Sequence, residues 1–330
     1  MDWGLIITNA LRAAIGLDTV IFALAAIGLN VHFGYTGLLN FGQAAFLGVA
    51  AYGLAITVAT FGLPTLLGIA IGLAGAVVLA LLLGAPALRL RADYLAIVTL
   101  AAAEIVRLLV RSVSLSEYTK GSDGLGQFSE GFYSLNPFGT GRYGLGRVSF
   151  DERQTWVLTV GWTLVVLSCL LVFLLMRSPW GRVLKAIRED EDAVRSLGKN
   201  VYSYKLQSLV LGGVLGSLGG FMTAFGNAVV QPDTFGVETT NYALTIVILG
   251  GAARVLGPVV GAIIFWTLLS LTDNVLNQAR DAGYISDSIL SSSQVGVVRI
   301  MLVGLGLMAL AIFRPQGLFG DRREIALDAR

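Results

Sequence analysis

The chain is poor in the side chains that carry out chemistry. It has one cysteine, Cys169, and one histidine, His32. A single cysteine excludes a disulfide within the chain, and with so few soft ligands a structural zinc site is excluded too. No His-Glu-x-x-His, Gly-x-Ser-x-Gly or P-loop run occurs, and GSDGLG at 121–126 is too weak a likeness to a nucleotide loop to count. The chain is therefore expected to be no enzyme, to hold no metal or other cofactor, and to bind no ATP itself. Charge is scarce as well. Only 13% of residues are charged, against about 25% in a soluble domain. The net charge of +2 gives no ground for a nucleic-acid partner. The N-terminus lacks the basic start, short apolar core and small-residue cleavage site of a secretory signal.

What is present is hydrocarbon. Hydrophobic residues make up 55% of the chain, and several runs approach the roughly twenty residues that cross about 30 Å of bilayer core. The 41 glycines suit helices that approach closely in lipid. The fold class is an all-α polytopic membrane protein, with about 8–9 transmembrane helices counted from the apolar runs. The whole of 1–330 reads as one permease domain, multi-pass in the cell (inner or plasma) membrane, with lipid as its surroundings. Residues 1–16 form an interfacial helix, the start of the first span or a frayed lead-in.

One stretch departs from an ordinary span. GYTGLLNFGQAAFLGVAAYG, residues 34–53, sets Asn40 and Gln43 among five glycines. Glycine weakens a helix, and an amide in hydrocarbon needs a partner. The pattern suits a broken or re-entrant segment beside a wet path, as transporters use at the membrane midplane. The alternative is a closely packed helix whose glycines are contact points. On the run 94–112, Glu104 and Arg107 share a helix face and can pair. An acid at such depth is a functional candidate, although snorkelling to the surface is open to it as well. Tyr35, Asn40, Gln43 and Glu104 are the candidates for a translocation path. On the run 64–88, Gly68 and Gly72 read as a packing face.

The densest charge lies in RSPWGRVLKAIREDEDAVRSLGKNVYSYK, residues 177–205, between two apolar runs. It carries seven basic residues and the consecutive acids Glu189, Asp190, Glu191 and Asp192. Short basic loops stay in the cytosol. That puts 177–205 and the tail 314–330 inside, and 113–155 and 273–294 outside. Val183, Leu184 and Ile187 form one apolar face, and Val194 with Leu197 a second. The acids suit the first turn of a helix, and Gly198 suits a helix end. Two short helices are predicted, the second from Asp190 to Leu197. They serve as a docking element for a cytosolic partner or as an amphipathic rest on the lipid surface.

These motifs together resemble a known family, the branched-chain amino acid permeases of the ABC importer class. The stretch 34–53 looks like the family's early signature, 177–205 like its central loop, and PDTFGVETT with LGGAARVLGPVVGA like its late segment. RADYLAIVTLAAAEIVRLL also fits, and the order is kept from about 19 to 320. The long loop before the central one is similar to the LivM-like branch. Ala253-Arg254-Val255 departs from the family's usual Gly-Thr turn. The resemblance implies two ATP-binding subunits, a second related permease in a heterodimer, and an external solute-binding protein. It also implies that the second helix of the central loop couples to the ATPase, with Glu189, Asp190, Ala193, Arg195, Leu197 and Gly198 at the matching places. Urea and short-chain amide permeases share the motifs and stay open as alternatives, as does a stand-alone secondary transporter. The sidedness is tested by Ser196→Cys and Ser122→Cys. An impermeant thiol reagent on intact cells is expected to label the second and spare the first.

Overall fold

A helix that is apolar on every side must be surrounded by lipid or by protein. The computed structural model, which describes residues 2–88, 92–282, 292–314 and 317–319, places one such helix at the centre of the bundle. In chain order the helices are α1 (Trp3–Ile15), α2 (Leu17–Asn30), α3 (Gln43–Ala55), α4 (Thr65–Ala87), α5 (Ala92–Arg111) and the single turns α6 (Ser116–Thr119) and α7 (Glu130–Tyr133). They continue as α8 (Glu152–Arg177), α9 (Pro179–Glu189), α10 (Glu191–Ser196), α11 (Val201–Asn227), α12 (Val237–Gly250), α13 (Gly257–Asp281) and α14 (Ser292–Phe313). Every residue of α2 from Thr19 to Asn30 is buried. Helices α3, α8, α11, α12 and α13 pack around it.

Among the described residues, six helical runs are long and apolar enough to cross a membrane. Helices α5, α12 and α14 occupy the remaining expected positions. The fold class is as expected, an all-α polytopic membrane protein. Residues 89–91, the polar residues 283–291, residues 315–316 and the tail from 320 lie outside the described residues. Within the N-terminal stretch 1–16, Trp3–Ile15 forms a helix of its own. Asp2 caps α1 by accepting from the Leu5 N–H at 3.1 Å, and Gly16 breaks it from α2. Asn9 Nδ2 donates 2.7 Å to Asn274 Oδ1, tying α1 to α13.

Small residues let the central helices touch. A Cβ on Gly28 of α2 would strike the Gly212 carbonyl of α11 and stand 2.6 Å from the Gly216 nitrogen. One on Gly220 would strike the Leu47 carbonyl of α3. Gly72 of α4 sits against α3, where a Cβ would lie 2.7 Å from the Ala50 carbonyl, so the Gly68–Gly72 pair is a packing face as expected. Helix α8 shows the opposite economy. Val157, Gly161, Val165, Cys169, Val172 and Met176 form a buried stripe, while Val166, Leu167, Leu170, Leu171 and Leu174 stay exposed on the other side. That second face suits hydrocarbon.

Strands are few. The hairpin β2 (Arg142–Leu145) with β3 (Val148–Asp151) lies in the long loop 113–155. β1 (Leu125–Gly126) pairs antiparallel with β4 (Val229–Val230), which ties that loop to the connection after α11. Phe132 stacks on Phe225 with ring centres 4.2 Å apart. These contacts define one end of the bundle. The other end carries α9, α10 and the turn 251–256, and 36–42 runs inward from it, from Gly37 beside Arg188 to the start of α3. Overpacking a helix crossing costs about 1–3 kcal/mol. Gly220→Ala is expected to lower the thermal midpoint of detergent-solubilised protein by that cost. Gly296→Ala on α14, with nothing within 4 Å, is expected to leave it unchanged.

Candidate transport and coupling site

Non-helical backbone inside a bundle must find partners for its freed amides. The break predicted within 34–53 falls between Thr36 and Gln43. Helix α2 first loosens into a π-helical turn, Val31–Tyr35, and after Thr36 the chain runs without regular structure to the start of α3 at Gln43. Side chains close the exposed amides. The Gly42 N–H donates 2.8 Å to Asn40 Oδ1, the Phe41 N–H 3.0 Å to Thr99 Oγ1 of α5, and the Ala44 N–H 2.9 Å to Thr240 Oγ1 of α12.

Asn40 and Gln43 come together at the tip of this segment, and both are buried. Asn40 Nδ2 lies 3.0 Å from His32 Nδ1 and 3.3 Å from Gln43 Oε1. His32 Nε2 lies 3.1 Å from the Leu209 carbonyl. That pattern assigns the ring proton to Nε2, with Nδ1 accepting from Asn40. Gln43 Nε2 donates to the carbonyls of Ala25 at 3.3 Å and Gly212 at 3.5 Å. Gln43 therefore stands at the mid-length of α2 and α11, and α3 begins inside the bundle.

Tyr35 is buried at the other end of the π turn, with Lys185 Nζ 5.8 Å from its ring centre. Glu104 belongs to a different place. Its carboxylate, 37% exposed, accepts from Arg107 at 2.5 and 2.9 Å. Arg107 also donates to Asp233 at 2.7 Å, and Arg111 reaches the same carboxylate at 3.2 Å. The predicted Glu104–Arg107 pair is thus present but lies apart from Asn40 and Gln43.

The coupling candidates cluster at the basic end. Helix α10 is one residue shorter at each end than predicted, because Asp190 is its cap and Leu197 follows it. Asp190 Oδ1 accepts from the N–H groups of Asp192 and Ala193, both at 3.0 Å. Glu189 ends α9. Arg195 pairs with Asp192 at 2.7 Å and Glu191 at 2.9 Å, and Lys205 also pairs with Glu191. Val194 is buried against Ile187 and Val201. Ala193 is exposed, Leu197 is 79% exposed, and Gly198 turns at φ +76°. Residues 201–205, read as loop, are already the first turn of α11, because the Asn200 side chain caps it at the Ser203 N–H.

Sequence reasoning missed several members of the site. His32 was visible only as a polar residue at the end of an apolar run. Thr99 and Thr240, 58 and 196 residues from their partners, left no signal at all.

Residues 12–311 match the family described as "Branched-chain amino acid transport system / permease component". The chain belongs to this family. It is similar to the high-affinity branched-chain amino acid transport system permease protein LivM of Escherichia coli (strain K12). The identity is 34% over 312 residues, 91% of this chain and 68% of that one. The probable branched-chain amino acid transport permease protein LivM of Methanocaldococcus jannaschii is 25% identical over 92% of this chain and 91% of its own. The autoinducer 2 import system permease protein LsrC of Salmonella paratyphi B is 27% identical over 42% of this chain and 40% of its own. The chain is a multi-pass inner-membrane protein and the permease subunit of an ABC importer. It is a transport subunit and no enzyme, and its class works with ATP-binding and substrate-binding partners.

Asn40→Leu would leave His32 Nδ1 and the Gly42 N–H without their partner. Each orphaned buried group costs about 1–3 kcal/mol. The variant is expected to melt at a lower temperature in detergent, and Thr99→Val to do the same through the Phe41 N–H.

Proposed function

We propose that this permease carries branched-chain amino acids into the cell; its LivM relatives are named branched-chain amino acid transport permeases. It does so as one half of a heterodimer with a second, related permease. Two ATP-binding subunits dock on its cytosolic side, and an external solute-binding protein delivers the solute. The basic end of the bundle, with Arg177, Arg182, Lys185, Arg188, Arg195, Lys199 and Lys205, faces the cytosol under the rule that short basic loops stay inside. The end with 113–155 and the β2–β3 hairpin faces outward.

The observation that carries this reading is the surface of α10. It is anchored from behind by Val194 and closed at its start by Asp190, and it presents Ala193 outward, with Leu197 exposed just past its end. An exposed leucine beside a small residue on a rigid, capped helix suits a groove in a partner. Glu189, Arg195 and Gly198 complete the contact, with Gly198 turning the chain back toward α11. The path runs along α5, where Glu104 and Arg107 lie beside the exposed Ile97, Ile105 and Leu108. Charged groups among spans call for water or protein next to them, and the second permease supplies the facing wall. The segment with Tyr35, Asn40 and Gln43 is the wall of the path on this side, and its breaks allow it to move.

Ala193→Arg tests the docking. It adds bulk and charge at the centre of the proposed contact, where such changes cost about 1–4 kcal/mol of binding. Membrane insertion is expected to be normal, while co-purification of the ATP-binding subunits and uptake are both lost. A variant that assembles and transports normally would leave α10 as a solvated surface helix.

A further inference from the structure

We propose that Arg188 is a positioning residue that carries movement of α9 and α10 into the segment 36–42. The inference rests on the docking role proposed for α10. Arg188 Nη1 donates 2.5 Å to the Gly34 carbonyl. That carbonyl belongs to the π-helical turn, and the regular helix ends within two residues of it. The next loop is seated on the same side chain. Gly37, at φ +73°, has its missing Cβ position 3.3 Å from Arg188 Cγ and 3.6 Å from its Cα. Lys185, one turn back on α9, lies over the Tyr35 ring. Two basic residues of α9 therefore grip three residues of the α2 end.

The grip can transmit motion because both of its sides are firm. Ile187 of α9 packs with Val194 of α10 and Val201 of α11, so α10 is seated directly on α9. Beyond the π turn the contacts lead to the interior. Thr36 Oγ1 and Ser208 Oγ lie 2.6 Å apart, Asn30 holds the Ala253 N–H at 2.9 Å and the Arg254 carbonyl at 2.9 Å, and His32 holds Asn40. A π turn takes up one residue more than an α turn and often marks a functional site. Tightening it by that residue would draw 36–42 lengthwise and shift Asn40 and Gln43 along the bundle. Arg188 is the α9 side chain that bonds the turn through the Gly34 carbonyl and lies against Gly37 of the loop.

The test uses the assembled transporter, permease pair with ATP-binding subunits, in lipid vesicles with its binding protein. Radiolabelled leucine uptake and ATP hydrolysis are measured on the same preparation. Arg188→Ala is expected to keep the ATP-binding subunits at wild-type yield and to keep hydrolysing ATP. Leucine moved per ATP falls about tenfold or more, the fold-change that one charge-assisted hydrogen bond represents. Arg188→Lys, which keeps a donor in reach, restores most of the ratio. A purely structural role would lower yield and leave the ratio of the surviving protein unchanged, and that result would overturn the proposal. Loss of the ATP-binding subunits from the Arg188→Ala preparation would overturn it too, in favour of a docking contact. Failure of the docking role itself is read separately, from normal assembly of Ala193→Arg. Where Arg188→Ala does not accumulate, Arg188→Gln is read by the same ratio.

Discussion

A short run of irregular backbone inside a helical bundle, Gly37 to Gly42, sets the terms for most of this structure. Apolar surroundings cannot satisfy its amides, and an orphaned group there costs about 1–3 kcal/mol. The protein answers with side chains from two other helices and one from within the segment. Thr99, Thr240 and Asn40 each close a backbone amide of the segment or of the first turn of α3. Asn40 is then itself held by His32 and Gln43, and Gln43 by the carbonyls of α2 and α11. Much of the buried polar chemistry of the core serves this one segment.

The same constraint explains the glycines of α2 and α11. Gln43 can reach two carbonyls only because α2 and α11 approach without side chains between them. Gly28, Gly212 and Gly216 lie at that crossing, and a Cβ on Gly216 would strike the Gln43 side chain. Close packing and polar closure are therefore one arrangement here, and neither survives without the other. Helix α8 and much of α4, which have no such segment to serve, carry large apolar side chains outward instead.

At the basic end the arrangement becomes a joint. The α2 helix ends in a turn with one extra residue, and that turn is held by Arg188 from α9, by Ser208 from α11 and, through Asn30, by the α12–α13 connection. A docking helix is useful only if its movement reaches the transport path. On the roles proposed for α10 and 36–42, the link runs through α9, which packs on α10 through Ile187 and reaches the end of α2 through Arg188. The family membership and this joint fit each other, since an importer permease with no nucleotide motif of its own has to receive its energy through a contact.

How much of this was legible in the residues differs from element to element. The apolar runs, the capped second helix of the central loop, the packing face at Gly68 and Gly72 and the Glu104–Arg107 pair could all be read locally, because each depends on neighbours within one or two turns. The break near Asn40 was legible too, since glycines weaken a span and its buried amides demand partners that an unbroken helix does not supply. Its exact place was not, nor was the start of α11 at Val201 or the separation of Glu104 from Asn40. The amide partners around the break lie as far as 196 residues away, and a threonine in an apolar run looks alike whether or not it holds a distant amide. Local chemistry marked most of the helical segments and made 34–53 the candidate for a break. Only the tertiary structure decided what satisfies the break, because a hydrogen bond between helices depends on how they cross, and that crossing is set by packing over the whole bundle.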